Sequence, residues 1–102
     1  MAPKLVVHFE EDTDKVWAHL NLQQEGMPGF KLFLSYIAEF IQIVENTDNT
    51  ERVCLWQTYF VRNTKTSCTL SILTNDKPLL HLDVGQKDKL LIHLKENYKV
   101  WL

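Results

Sequence analysis

Strand-like runs on both sides of one long apolar stretch, followed by an amphipathic C-terminal segment, predict an α+β fold: an antiparallel β-sheet of about five strands with two helices in the order ββαβββα. The 102 residues, 45% hydrophobic and 24% charged, suit a single domain, 1–102, with room for one core. The chain shows no internal repeat, low-complexity segment or linker.

Lys4 to Glu10 and Lys15 to Leu22 alternate as two strands, and Glu11-Asp12-Thr13-Asp14 between them is turn chemistry, so a hairpin is expected. With Asp12-Thr13 at its centre, Leu5, Val7 and Phe9 share a face with Val16, Ala18, Leu20 and Leu22. The other face carries Val6, His8, Trp17 and His19. Gly26-Met27-Pro28-Gly29 breaks the chain, and Pro28 is suited to opening a helix because its missing N–H costs nothing in a first turn. From Phe30 to Asn46 the polar residues Lys31, Ser35, Glu39, Gln42 and Asn46 form one narrow stripe, which predicts a helix apolar over most of its circumference.

The run Asn46 to Thr50 reads as a loop, and strands are expected at about Arg52 to Arg62, Thr66 to Leu73 and Leu79 to Val84. Asn63-Thr64 and Asn75-Asp76-Lys77-Pro78 join them as hairpin turns, and Gly85 ends the sheet. Lys87 to Tyr98 then reads as a helix with Leu90, Leu91, Leu94 and Tyr98 on one side. Asp88 near its start and Lys95 and Lys99 near its end complement the helix dipole. The apolar tail Val100-Trp101-Leu102 is expected to dock on the core or on a second subunit.

The net charge of -2 argues against a surface devoted to phosphate binding. Residues 1–51 nevertheless carry nine acids and three bases, and residues 52–102 four acids and eight bases. The two halves can complement each other within one fold or between copies. Two cysteines, Cys54 and Cys68, and an N-terminus without a basic-apolar leader lead us to expect a cytoplasmic protein with buried thiols; a disulfide between adjacent strands is the alternative. No apolar run reaches the length of a membrane helix, so no membrane role is expected.

Catalytic and metal chemistry find little footing. His8 and His19 share a face, but a third metal ligand is lacking beyond Glu10. Cys54 or Cys68 with His81 is the one nucleophile and base pairing that adjacent strands could assemble, and no motif supports it. Glycines at 26, 29 and 85 cannot build a phosphate-cradling loop, and no cofactor is expected.

The run from Arg52 to Arg62 carries the functional expectation. As one strand it has two largely apolar faces, whereas its neighbour alternates Cys68, Leu70 and Ile72 with Ser67, Thr69 and Ser71. Large side chains, either Trp56 with Phe60 or Leu55 with Tyr59 and Val61, then fall on the wet side. Either the long helix covers this strip or it is an interface. As an interface it would be a partner-binding surface of Trp56, Phe60, Leu55, Tyr59 and Arg62, joined by Trp17 on the hairpin and by Tyr36 and Phe40 on the helix. The resulting expectation is a non-enzymatic protein-binding module, an inhibitor, adaptor, immunity-type protein or assembly subunit, that buries its surplus apolar surface as a homodimer. The alternative is a small-molecule binder or enzyme with an apolar pocket between helix and sheet, lined by Phe33, Tyr36, Phe40, Trp56 and Tyr59, with His81, Gln57 and Tyr59 as polar candidates. Single-stranded nucleic acid stacking on the aromatics beside Arg52, Arg62 and Lys65 is the weakest reading, because no RNP-type sequence is present.

Overall fold

Alternating burial organises the first half of the fold. A computed structural model describes residues 4–10, 18–45, 53–55 and 58–102, with the backbone alone for 7–10 and 53–55. Strand β1 (Leu5–Glu10) pairs antiparallel with β2 (His19–Gln24), which pairs with β3 (Phe30–Phe33). The pairing of Val7 with Leu22 and of Phe9 with Leu20 lies four residues away from the register that a turn at Asp12-Thr13 would impose. Because the shift is even, the side-chain parity expected from the sequence survives. Leu20, Leu22, Phe30 and Leu32 are all buried on one face.

The long helix expected from Phe30 to Asn46 is replaced by three shorter pieces. Phe30–Phe33 is β3, Leu34–Tyr36 is a single 3-10 turn, and only Ile37–Val44 is α-helix, here α1. Phe30 and Leu32 are buried while Lys31 is exposed, a period of two. Within α1 the buried positions are Ile37, Phe40, Ile41 and Val44, an ordinary amphipathic stripe. The all-round apolar cylinder therefore does not exist, and its surplus surface is taken up by a strand and a one-sided helix.

The expected strand from Arg52 to Arg62 is likewise two strands. β4 (Val53–Leu55) and β5 (Tyr59–Asn63) pair with each other, Val53 opposite Val61 and Leu55 opposite Tyr59, so the chain reverses between them. β5 continues to β6 (Ser67–Ile72) and β6 to β7 (Pro78–Asp83), giving a four-stranded antiparallel sheet in chain order. Among the described residues the protein is α+β with seven strands in two sheets, three and four, rather than about five in one. The β5–β6 turn is tied by Thr64 Oγ1, which accepts from the backbone N–H groups of Thr66 and Ser67. Asp76, at a φ of 58°, shapes the expected turn before β7. Leu80 lies opposite Leu70 and Pro78 opposite Ser71, so Leu79 is an extra residue at a bulge and both leucines are buried.

Helix α2 (Val84–Asn97) begins three residues earlier than expected, so Gly85 falls in its first turn instead of ending the sheet, and Asp88 falls outside that turn. The cause is a capping box. Asp83 Oδ1 accepts from the Gln86 N–H at 2.7 Å, and Gln86 Oε1 accepts from the Asp83 N–H at 3.1 Å. Lys95 does lie in the last turn, where it pairs with Glu45 just past α1. A 3-10 turn (Lys99–Trp101) ends the chain, with Trp101 packed on the core and Val100 exposed.

α2 packs against β6 and β7, and α1 lies beside α2 against β4 and β5. Val61, Cys68, Leu70, Leu80 and Leu82 join the buried leucines of β2 and β3 in one hydrophobic cluster. The two sheets meet where β2 approaches β7. The Gln24 side chain spans this seam, its Nε2 donating to the His81 carbonyl at 2.7 Å and its Oε1 accepting from the His81 N–H at 2.6 Å. Beside it the Gly29 N–H donates to the Leu79 carbonyl at 3.1 Å. Gly29 has a φ of +87°, and a Cβ there would meet the Leu22 carbonyl oxygen at 3.0 Å, so the approach requires glycine. The outward backbone groups of edge strand β7 are thus occupied by a side-chain amide, a loop N–H and the α2 cap, which blunts the edge against further pairing.

Cys68 faces the core from β6. Burial pushes its thiol up from an ordinary 9.0 to about 11, only partly offset by the nearby Lys87 ammonium. The unfolded chain releases this proton above about pH 9 and the folded one holds it until about pH 11. Stability from this group is therefore complete below about 9 and is lost as pH rises through that window. Between about pH 8 and about pH 10.5 the parent protein is expected to lose about 2 kcal/mol more unfolding free energy than Cys68→Ala, read by urea denaturation. Equal losses in the two proteins would show that the thiol ionises freely in the folded state.

Candidate partner-binding cleft

β3 lies at the edge of the three-stranded sheet. The Leu34 N–H donates to the Ala18 carbonyl at 3.0 Å, which fixes which residues of this ladder exchange hydrogen bonds: Leu32 with Leu20 and Phe30 with Leu22. The alternate residues Lys31 and Phe33 therefore turn their backbone groups away from β2. Beside them opens a cleft of about 240 Å3 lined by Lys31, Phe33, Tyr36, Thr58 and Tyr59. Its walls come from β3, the 3-10 turn after it and the start of β5.

Local sequence explains the position of each ring. Phe33 shares the outer face of its strand with His19, whose ring it meets edge-on at 5.7 Å. Phe30, on the core face, stacks on Phe40 at 5.9 Å and meets Tyr59 edge-on at 5.1 Å. Tyr59 is thus half-buried, with one side on the core and the other on the cleft. Tyr36 remains 48% exposed at the rim. An aromatic floor, one ammonium and the hydroxyls of Thr58, Tyr36 and Tyr59 suit an apolar or aromatic side chain entering from outside, with Lys31 available for cation–π or carboxylate contact.

The structure brings together Tyr36 and Tyr59 of the expected partner-binding set, and adds Lys31, Phe33 and Thr58. It separates the others. Phe40 is fully inside the core. Phe60 lies on the opposite face of β5 from Tyr59 and is only 6% exposed, with the Arg62 guanidinium 6.0 Å from its ring centroid. Leu55 is opposite Tyr59 in the ladder, its side chain outside the described ones. Trp17 and Trp56, along with Arg52 and Gln57, lie outside the described residues. Of the alternative pocket, Phe33, Tyr36 and Tyr59 line the cleft, whereas Phe40 does not and His81 belongs to another surface.

The other sequence candidates disperse. Cys68 faces the core, whereas His81 is exposed on the outer face, its Nδ1 2.8 Å from Thr69 Oγ1, so the two do not form a nucleophile and base pair. Cys54 on β4 and Cys68 on β6 are separated by β5, and two strand spacings of about 5 Å each exceed what a disulfide spans. Cys68 is a free thiol. Among the described residues no group of three or more His, Cys, Asp or Glu is placed to hold a metal ion, and no helix is long and apolar enough to cross a membrane.

A larger groove, of about 460 Å3, lies between α2 and the start of β1, lined by Lys4, Leu5, Gln86, Lys89, Leu90 and His93. Sequence reasoning passed over it, although 86, 89, 90 and 93 follow the spacing of one helix face and carried the signal. Comparison of the chain with protein-family models, with curated proteins and with solved structures finds no match.

Proposed function

We propose that this chain is a non-enzymatic protein-binding module that associates with a second copy of itself through the aromatic cleft beside β3. The observation that carries this reading is Tyr36, a large ring nearly half exposed at the mouth of a cleft with two further aromatic walls and an edge strand alongside. An edge strand offers backbone hydrogen bonds to an incoming segment, and a neighbouring pocket selects its side chain. The opposite charge balance of the two halves favours encounter between copies.

Light scattering behind a sizing column tests this. The mass is expected to rise with concentration toward twice 12.0 kDa. Tyr36→Ala is expected to raise the dissociation constant about tenfold or more, the loss of roughly 1.4 kcal/mol or more that an interface aromatic typically supplies. Its thermal midpoint should stay close to that of the parent, because the ring is largely exposed. A parent protein that stays at 12.0 kDa across the series defeats the self-association reading. An unchanged dimer in Tyr36→Ala removes the cleft from it.

A second reading, a small-molecule binder with an apolar pocket between helix and sheet, draws its support from the groove between α2 and β1.

A further inference from the structure

The groove between α2 and the start of β1 differs in chemistry from the aromatic cleft. Its floor is Leu5 and Leu90, one from each wall. Its polar lining is Lys4, Lys89, His93 and Gln86, with no carboxylate among the described residues that line it. Gln86 is already committed to the α2 capping box through both its backbone N–H and its Oε1.

The His93 ring is held in place. Asn97 Nδ2 donates to the His93 carbonyl at 2.9 Å and lies 3.3 Å from His93 Nδ1. The Tyr98 ring meets the imidazole edge-on at 5.9 Å and helps hold its plane. The groove is therefore lined by two ammonium groups and one imidazole beside an apolar floor.

We propose that this groove is a binding site for a small carboxylate with an apolar body, such as a medium-chain alkyl or aryl carboxylate. The apolar body would cover Leu5 and Leu90, and the carboxylate would take the Lys4 and Lys89 ammonium groups and a ring N–H of His93. The volume suits a ligand of this size, and the charge of the lining selects anions over neutral and cationic amphiphiles. The inference rests on residues separate from the aromatic cleft and stands or falls independently of self-association.

Calorimetry and amide chemical shifts with octanoate test it, with octanamide as the neutral isostere. For a ligand of this size, octanoate is expected to saturate with a Kd below about 1 mM and to shift the amides of Leu5, Leu90 and His93. Octanamide should bind about tenfold more weakly or worse. The double variant Lys4→Glu/Lys89→Glu should lose octanoate binding by a similar factor. Both lysines are exposed, so the variant should fold, and a parent-like dispersion of amide shifts confirms it. Equal affinity for octanoate and octanamide, or an unchanged octanoate Kd in the double variant, overturns the proposal. So does failure of octanoate to saturate by about 10 mM, weaker than the groove's size allows. An acetylated Glu-Leu-Glu-Leu peptide that binds where octanoate does not would assign the groove to a protein segment instead.

Discussion

Replacing Gln24 by Ala is expected to destabilise the fold by about 2–4 kcal/mol, because it strips two part-buried backbone hydrogen bonds at once from one residue of β7. Gln24 is 4% exposed, and it holds the His81 N–H and carbonyl at 2.6 and 2.7 Å across 57 residues of chain. Its side-chain amide acts as one peptide unit of a missing strand. Without it the His81 groups face the seam between the sheets with no replacement partner, and a buried unmet donor or acceptor costs more than an average hydrogen bond contributes. Gln24→Glu should do no better: its carboxylate can accept from His81 N–H but cannot donate to the carbonyl, and it places a charge at a buried seam. Urea denaturation reads the loss of stability. Native-state amide exchange localises it: the His81 N–H should exchange much faster in Gln24→Ala, while the Leu70 N–H follows only the global change. A stability within about 0.5 kcal/mol of the parent, the range typical of surface substitutions, would show that the Gln24 bridge contributes little to holding the two sheets together.

Phe40→Ala is expected to cost about 3–5 kcal/mol, much of the total stability of a domain this small. The ring is 2% exposed on α1 and stacks on Phe30 with 19° between planes. Phe30 in turn meets Tyr59, so the three rings connect α1, β3 and β5. Removing the α1 end of this packing leaves a void beside Phe30 that the strands cannot close without shifting. Phe40→Leu, which keeps much of the volume, should cost about 1–1.5 kcal/mol. Tyr59 also walls the cleft, so Phe40→Ala should weaken self-association as well as folding, whereas Tyr36→Ala should weaken association alone. A loss below about 1 kcal/mol for Phe40→Ala would mean that the core repacks around the gap.

How much of this fold could be read in advance follows from the kind of signal each segment carries. His19 to Gln24 turns Leu20 and Leu22 inward as the alternation indicates, and the parity of its pairing with Leu5 to Glu10 was legible even though the turn register was not, because a shift by an even number of residues preserves parity. The β6 alternation from Ser67 to Leu70, the turn at Asn75–Lys77 and the apolar stripe of α2 were equally plain, whereas the bulge after Leu70 buries Ser71, expected on the wet face, and leaves Ile72 half-buried. The two misreadings were both continuous apolar runs. Phe30 to Val44 has so few polar interruptions that a strand, a turn and a helix in series look like one greasy helix, and nothing local marks the boundary at Phe33. Arg52 to Arg62 reads as one strand because alternation continues across Trp56 and Gln57, with no glycine, proline or asparagine to announce the reversal that pairs Leu55 with Tyr59.

The site depended on those same boundaries. Tyr36 and Tyr59 were legible as aromatics with a possible surface role, but their meeting with Lys31, Phe33 and Thr58 required β3 to be a strand and Thr58 to follow a turn. The basic groove was recoverable only in half, since the spacing of Gln86, Lys89, Leu90 and His93 marks one face of α2 while nothing in the chain places Lys4 and Leu5 across from it.

By itself, then, the sequence determined the α+β class, the inward faces of the alternating strands and the amphipathic C-terminal helix, because period and turn chemistry are local properties that neighbouring residues enforce on one another. Only the tertiary structure decided where the apolar runs break, that a buried glutamine would stand in for a strand, and which rings and ammonium groups share a cleft. Those outcomes are set by burial energy and backbone hydrogen bonding between segments distant in the chain, which no local pattern encodes.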